Sequence, residues 1–369
     1  VIDVLKKFEV TGFNNFKSTF TLDFSDTRDY RFNEICLKDG LLNKAIIYGK
    51  NAVGKTNMGL ALFDITTHLS DKNVTPSVYD YYLNADNEVD YAEFHYIFQI
   101  EGKEIDYMYR KSDFKKLLFE ELHINGKLIL SYDFTNQSGD LEGLQQLSPS
   151  LNYEFQDNTL SIVRYAVNNT VSDGMLPLKQ MVRFVASMLW FRSLDENRYI
   201  GYKTESSDYL SFIFEEDHLQ QFQTLLHKAG VNEELLPLVD KDGQKRLYFK
   251  RNSPIPFFKA ASNGTKALFT LFYWLTTATQ VSLMFIDEFD AYYHFELSET
   301  IVEFLKEHAE FQAVLTSHNT NLLTNKIMRP DCYFILTSEH ITSLANATER
   351  ELREGHNLEK LYISGEFNE

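Results

Sequence analysis

Four short stretches of this chain hold residue types at spacings that suit phosphate chemistry. The first is Gly49-Lys50-Asn51-Ala52-Val53-Gly54-Lys55-Thr56, with Asn57 directly after it. The backbone N–H groups of such a loop turn inward around phosphates, and the dipole of a following helix adds to the attraction. Glycine is needed where a Cβ would block close approach. Lys55 is placed to reach the β- and γ-phosphates of ATP, and the Thr56 hydroxyl to ligate Mg²⁺. The second stretch is Leu283-Met284-Phe285-Ile286-Asp287-Glu288, an apolar strand ending in two carboxylates. Asp287 would hold the Mg²⁺ directly or through water, and Glu288 would act as the general base for an attacking water. The third, Thr316-Ser317-His318, ends another apolar run. Strand ends of an open α/β sheet converge on the ligand crevice, which would put His318 near the γ-phosphate or the water. The fourth is Ala261-Ser262-Asn263-Gly264-Thr265-Lys266. It is either a second anion-binding helix start or an ordinary N-cap.

These residues need a scaffold that aims strand ends at one place. Ala45-Ile46-Ile47-Tyr48 reads as a short buried strand, and Met58, Leu60, Ala61, Leu62 and Ile65 suggest a helix from Thr56 to about Thr67. Val281 to Ile286, Ala313 to Thr316 and Cys332 to Leu336 read as further buried strands, with helices over Lys266–Ala278 and Leu297–His308. Strands and helices alternating in this way indicate a parallel α/β sheet. The opening segment reads as strands at Phe8–Val10 and Phe20–Phe24 around a turn at Gly12–Lys17. Residues from about 90 to 135 alternate as a β-meander, with Asn125-Gly126 as a hairpin turn. Residues 157–230 read as mainly helical, and 233–251 as a short helix and then a hairpin at Asp242-Gly243.

With 369 residues and a hydrophobic fraction of 44%, the chain can bury one large core or two modest ones and is not mostly disordered. The longest apolar runs fall far short of the roughly 20 residues that cross a bilayer. Val1 to Lys7 has no charged-then-apolar leader layout, so the expected location is the cytoplasm, with no membrane partner. Cys36 and Cys332 fit neither a disulfide framework nor a zinc spacing. The net charge of -17 opposes a surface coated with nucleic-acid phosphate contacts. Two local basic patches remain: Arg110-Lys111 with Lys115-Lys116, and Lys245-Arg246 with Lys250-Arg251. Both also suit solvated strand edges or loop tips.

The four motifs, in this order, resemble the ABC-type ATPase head of the RecF, SMC, Rad50 and OLD branch. Phe13-Asn14-Asn15-Phe16-Lys17-Ser18 is similar to the F-x-N-F-K-S turn that opens such heads. Ser262-Asn263-Gly264-Thr265-Lys266 resembles their SxGTK signature, and Asp287 to His294 their Walker B and D-loop, with His294 where SMC heads carry Asp. Thr316-Ser317-His318-Asn319 resembles the switch histidine segment. The tail Glu354 to Tyr362 resembles AAA-type ATPases of abortive-infection and phage-defence loci. No Q-loop glutamine is assigned, since Gln99 falls in an expected strand.

The resemblance implies a P-loop NTPase of the ABC-head type, with a β-rich N-lobe, a parallel-sheet core and a helical insertion. The expected division is a nucleotide-binding N-lobe over 1–150, a mainly helical insertion over 151–255 and a C-lobe over 256–369. It also implies that Ser262 to Lys266 complete the ATP site of a second subunit, so that a homo-oligomer forms around ATP. SMC-type heads carry a long coiled coil between the two halves of the sheet. Here the span from Thr56 to Ser262 reads largely as strands, with no sustained heptads and no Cys-x-x-Cys hook. Too little chain follows His318 for the Toprim nuclease domain of the OLD proteins. The expected function is a slow ATPase subunit of an antiviral system that controls a separate effector, such as a nuclease. The rival readings are a RecF-like DNA-repair ATPase, a transporter-coupled ATPase and an ATP-bound switch with negligible turnover. A transporter ATPase would normally read LSGGQ, with its signature much nearer the first loop.

Overall fold

The computed structural model of the chain describes residues 3–70, 79–155, 157–192, 198–201, 211–215, 217–277, 280–291 and 295–367. The chain begins with β1 (Val4–Thr11) and β2 (Phe20–Asp23), then a small hairpin of β3 (Leu37–Lys38) and β4 (Leu41–Leu42). Strand β5 (Lys44–Tyr48) leads through the glycine loop into helix α1 (Lys55–Leu69). A meander follows: β6 (Ala92–Ile100), β7 (Lys103–Lys111), β8 (Leu117–Ile124), β9 (Lys127–Asp133) and β10 (Ser138–Asp140). Next come α2 (Glu142–Leu147), α3 (Ile162–Asn169), α4 (Leu176–Ala186), β11 (Leu189–Arg192), β12 (Arg198–Gly201) and α5 (His218–Lys228). A small sheet of β13 (Leu235–Val239), β14 (Lys245–Phe249) and β15 (Ile255–Pro256) precedes α6 (Phe257–Ala260) and α7 (Asn263–Thr277). The remainder is β16 (Leu283–Asp287), α8 (Phe295–Glu307), β17 (Gln312–Ser317), β18 (Tyr333–Leu336), β19 (Ile341–Ser343) and α9 (Leu358–Ile363).

A central sheet has the order β12-β11-β16-β17-β5-β18-β19. Strands β11, β16, β17, β5 and β18 run parallel, and β12 and β19 close the edges antiparallel. Strands β5, β16, β17 and β18 are buried at every residue, which is why they read as unbroken apolar runs rather than alternations. A second sheet, β10-β9-β8-β7-β6-β1-β2, is antiparallel throughout. In β6 buried and half-buried residues alternate along the whole strand, the period of a sheet packed on one face.

Helix α1 lies between the two sheets. Gly59 faces the central one, where a Cβ would come within 2.8 Å of the Phe285 ring and 2.9 Å of the Trp190 ring. On the other side, the Tyr96 hydroxyl donates to the Ala61 carbonyl at 3.1 Å. Asp64, fully buried in the same helix, accepts from Lys111 Nζ at 2.6 Å and from the hydroxyls of Tyr82 and Tyr109, each at 2.8 Å. Every oxygen of this ion pair is satisfied, and removing either partner would strand a buried charge. Gln312, at the start of β17, joins the sheets directly: its amide accepts from Leu5 N at 2.7 Å and donates to Leu5 O at 2.9 Å. Among the described residues, no helix is long and apolar enough to cross a membrane.

Two expected elements differ. The short helix expected from 233 is strand β13, whose Pro237 has no N–H to give; β13 is an edge strand, where that loss is tolerated. The stretch 157–230 does hold α3, α4 and α5, but it also supplies β11, which pairs parallel with β16. Leu189, Trp190 and Phe191 are almost fully buried, and an apolar run this short has no periodicity to separate strand from helix. The central sheet therefore draws strands from all three expected segments: β5 from 1–150, β11 and β12 from 151–255, and β16 to β19 from 256–369.

Candidate functional site

The site is built at the C-terminal ends of three adjacent strands. β5 ends at Tyr48 and runs into the glycine loop, β16 ends at Asp287, and β17 ends at Ser317. The loop is tightly determined. A Cβ on Gly49 would meet Val53 Cγ2 at 2.7 Å and the Leu336 carbonyl at 2.8 Å. Gly54, with φ of 103°, caps α1, and a Cβ there would meet the Asn15 amide at 2.4 Å. Ala52 is also left-handed, at φ 65°. Lys50, Asn51 and Ala52 form the exposed tip. No side chain caps the start of α1. Its first N–H groups therefore stay available to an anion.

Lys55 is buried, and its ammonium donates to the carbonyls of Gly49 (3.0 Å) and Lys50 (3.3 Å). Burial pulls its pKa down, while Glu288, Asp287 and Asp290 pull it back up. Thr56 Oγ1 donates to Asp287 Oδ2 at 2.7 Å, and Thr316 Oγ1 donates to Asp287 Oδ1 at 2.7 Å. The same Thr316 oxygen accepts from the backbone N–H of Glu288 at 2.7 Å. Glu288 is held at φ 46°, a left-handed conformation that costs energy outside glycine and clusters at functional sites. Its carboxylate lies 3.2 Å from His318 Nε2, and His318 Nδ1 lies 3.3 Å from Lys55 Nζ. An ammonium can only donate, so Nδ1 accepts, and the neutral ring carries its proton on Nε2, aimed at Glu288. Lys55, His318 and Glu288 thus form one continuous chain of contacts. Side-chain exposures of 38% for His318 and 24% for Glu288 leave this end open to solvent.

The hydroxyl of Thr56 and the carboxylate of Asp287 are hard oxygen donors side by side. That set fits Mg²⁺, which takes one or two protein oxygens and fills its octahedron with phosphate oxygens and water. Among the described residues, no cluster of three or more His, Cys, Asp or Glu forms a self-sufficient metal site.

Several partners carry no signal in the individual motifs. Asn15 donates to the Val53 carbonyl at 2.9 Å, and Asn57 donates to Asn15 Oδ1 at 2.7 Å and Asn14 Oδ1 at 2.9 Å. The Phe13–Ser18 turn is therefore a buttress under the glycine loop, and Asn57 belongs to that buttress. Ser317 Oγ donates to Asp290 Oδ2 at 2.6 Å, and burial raises the Asp290 pKa. A hydroxyl at Thr316, one residue before Ser317-His318, was visible in the sequence, but its double role depends on the strand pairing of β16 with β17.

Ser262 to Lys266 are not brought to this cluster. Ser262 Oγ accepts from Thr265 N at 3.1 Å and meets Thr265 Oγ1 at 2.9 Å, while Lys266 N donates to Ser262 O at 3.0 Å. Among the described residues, no hydrogen bond joins this segment to residues 49–57, Asp287, Glu288 or His318. Ser262 and Asn263 are exposed. Gln99 lies in β6 opposite Val4 and Glu104, within the antiparallel sheet. Tyr292, Tyr293 and His294 fall outside the described residues.

The basic patches are largely absorbed by acid. Arg110 pairs with Glu93 at 2.7 Å, and Lys111 with Asp64. Arg246 pairs with Asp240 and Asp242, Lys250 with Glu234 at 2.6 Å and Arg251 with Glu233 at 3.0 Å.

Residues 44–324 match the family described as "AAA domain, putative AbiEii toxin, Type IV TA system". The chain belongs to this family. It is an AAA-type ATPase domain, and residues 44–324 take in the glycine loop, Asp287, Glu288 and His318. No curated protein matches it. Among solved structures it is similar to an Smc head domain with an extended coiled coil, bound to the C-terminal domain of ScpA, derived from Pyrococcus furiosus. That pair is 13% identical with a TM-score of 0.50, over 93% of this chain and 96% of the other. It is also similar to the SMC head domain from Thermotoga maritima, at 14% identity and a TM-score of 0.47, over 92% of this chain and 98% of the other. The first likeness places the fold of this AAA domain among P-loop ATPase heads of the SMC kind.

Proposed function

We propose that the chain hydrolyses ATP slowly, as the ATPase subunit of an antiviral, abortive-infection system in the cytoplasm. In this reading it assembles with copies of itself around ATP and controls a separate effector, such as a nuclease. The observation that supports it best is the unbroken contact chain from Lys55 through His318 to Glu288, beside the Thr56–Asp287 pair. Residues 49–57 would cradle the triphosphate, with Lys55 neutralising the β- and γ-phosphates. Thr56 and Asp287 would hold Mg²⁺, which would supply charge neutralisation at those phosphates. Glu288 would orient a water in line with the γ-phosphorus and take its proton as the P–O bond to the β-phosphate breaks, giving ADP and phosphate. His318, donating from Nε2, would hold the Glu288 carboxylate in place and then meet the γ-phosphate. Thr316 would hold the Asp287 carboxylate and the Glu288 backbone in register.

The signature segment fits a role across an interface: Ser262 and Asn263 are exposed, and the Ser262 hydroxyl bonds only within its own turn. Ser262 and the Gly264 backbone would close over the ATP of a second copy. The defence role is supported by the family's description and by the tail Glu354 to Tyr362. A DNA-binding role of the RecF kind is opposed by the net charge of -17 and by the acid pairing of both basic patches.

The test compares wild type with Glu288→Gln. Hydrolysis should fall at least tenfold while ATP binding persists, and ATP should lock the variant into an oligomer visible by size exclusion. Unchanged turnover refutes the role of Glu288. For the effector, the product of a neighbouring gene should copurify with the chain. Full antiviral protection by the chain expressed alone refutes a separate effector.

A further inference from the structure

A cavity of about 290 Å³ opens beside the glycine loop, with Val53, Leu336, Thr337, Ser338 and Tyr362 among its lining residues. Its size is near the lower end of small-molecule sites, roughly 300 Å³, which suits a single nucleoside. It lies at the C-terminal ends of β5 and β18, where Gly49 packs against the Leu336 carbonyl. The phosphate-binding residues described above use none of Leu336, Thr337, Ser338 or Tyr362.

The walls are held independently of any ligand. The turn after β18 is braced by Thr337 N donating to His340 O at 2.9 Å and His340 N donating to Thr337 Oγ1 at 3.1 Å. Ser18 Oγ donates to Glu339 O at 3.2 Å, tying that turn to the Phe13–Ser18 buttress. On the opposite rim, α9 is capped by the Asn357 side chain, which accepts from Lys360 N at 2.8 Å. Glu359 N donates to Leu323 O at 3.1 Å, and Thr320 Oγ1 donates to Glu359 Oε1 at 3.0 Å. Both anchors of α9 lie in the segment that directly follows His318.

We propose that this cavity receives the base and ribose of the bound nucleotide, and that Tyr362 of α9 is the aromatic platform on which the base stacks. The proposal rests on residues 49–57 holding the triphosphate. The triphosphate must leave its nucleoside within one sugar's length of the loop, and this cavity adjoins the loop with an apolar floor at Val53 and Leu336 and an aromatic rim. Base–aromatic stacking is tolerant of base identity, so Tyr362 sets affinity for a nucleoside rather than for one base. Because α9 is pinned to the segment after His318, a filled cavity also steadies the switch histidine.

The experiment measures binding of ATP and of inorganic tripolyphosphate, each with Mg²⁺, to the full chain by calorimetry. Wild type should bind ATP more tightly than tripolyphosphate. Tyr362→Ala should weaken ATP about tenfold and leave tripolyphosphate within twofold, while Tyr362→Phe, which keeps the ring, should match wild type. Ser338→Trp, at an exposed turn that tolerates the change, should fill the cavity and produce the same split even if Tyr362→Ala fails to fold. If Tyr362→Ala and Ser338→Trp leave ATP affinity unchanged, or wild type binds both ligands equally, the nucleoside site is overturned and the phosphate site stands. If wild type binds neither ligand, the phosphate site falls and this inference with it.

Discussion

Helices α1 and α7 open alike in sequence, each with a Gly-Lys/Thr or Gly-Thr-Lys run at its first turn, yet the fold treats the two ends in opposite ways. The start of α1 is enclosed. Its cap residue is a glycine with no side-chain bond to give, Asn15 supports the loop from below, and Asp287 meets Thr56 from the next strand but one. The start of α7 is exposed and satisfies itself through the Ser262 hydroxyl. An uncapped, enclosed helix start keeps its N–H groups for a ligand that arrives in cis. A self-capped, exposed one is stable without a ligand and can offer its groups to another molecule. The difference is what supports the proposal of phosphate binding within the chain at one end and of an interface at the other.

The largest expected effect is at the enclosed end. Lys55→Ala should weaken ATP binding about a hundredfold, the ~3 kcal/mol upper range for a hydrogen bond to a charged group. Calorimetry checks it, and wild-type affinity in that variant would remove α1 from the phosphate site. At the exposed end, Ser262→Ala should leave ATP affinity of the dilute chain within twofold and weaken ATP-dependent self-association about tenfold by sedimentation. It should also lower stability by about 1 kcal/mol through the lost cap. A fall in the dilute chain's ATP affinity comparable to that of Lys55→Ala would erase the contrast between the two ends.

Thr316→Val tests how far enclosure depends on neighbouring strands. Losing its bonds to Asp287 and Glu288 N should cut kcat roughly three- to tenfold with little change in KM, about 0.7–1.4 kcal/mol. A rise in KM alone would make Thr316 a binding group instead.

The effect most remote from the ligand is a pH slope under the enclosed end. Lys44, at the start of β5, is buried, and burial lowers its pKa to about 7. In the unfolded chain a lysine titrates near ~10.4. Between these values the unfolded chain holds the extra proton, so stability rises as pH rises through that window, and the penalty is complete below about 7. Lys44→Met should remove a slope of up to ~1.4 kcal/mol per pH unit, read from urea midpoints at pH 7 and 9. Identical slopes in variant and wild type would show that Lys44 titrates normally.

Much of this was legible because local chemistry demands it. The glycine loop, the Asp287-Glu288 pair and His318 each sit where an apolar run stops, and buried strands cannot hide their composition. The meander was legible too, since one packed face forces alternation, and Asn125-Gly126 takes the left-handed pair of conformations that its hairpin requires. The parts that stayed hidden were not local. Strand β11 is too short to show a period, and β13 carries a proline that only its edge position permits.

By itself, then, the sequence determined the chemistry on offer: a phosphate loop with a lysine and a hydroxyl, two carboxylates and an imidazole, each at the end of a buried strand. The tertiary structure decided which of them meet. Laying β17 between β16 and β5 brings Thr316 onto the Asp287 carboxylate and the Glu288 backbone N–H, and His318 between Lys55 and Glu288. Packing Asn15 under Val53 turns a motif of the first strand pair into a support for the loop. The same packing leaves Ser262 facing solvent. The physical reason is that residue types follow from what each strand end must do, whereas hydrogen-bond partners follow from strand order, which no single stretch of chain encodes.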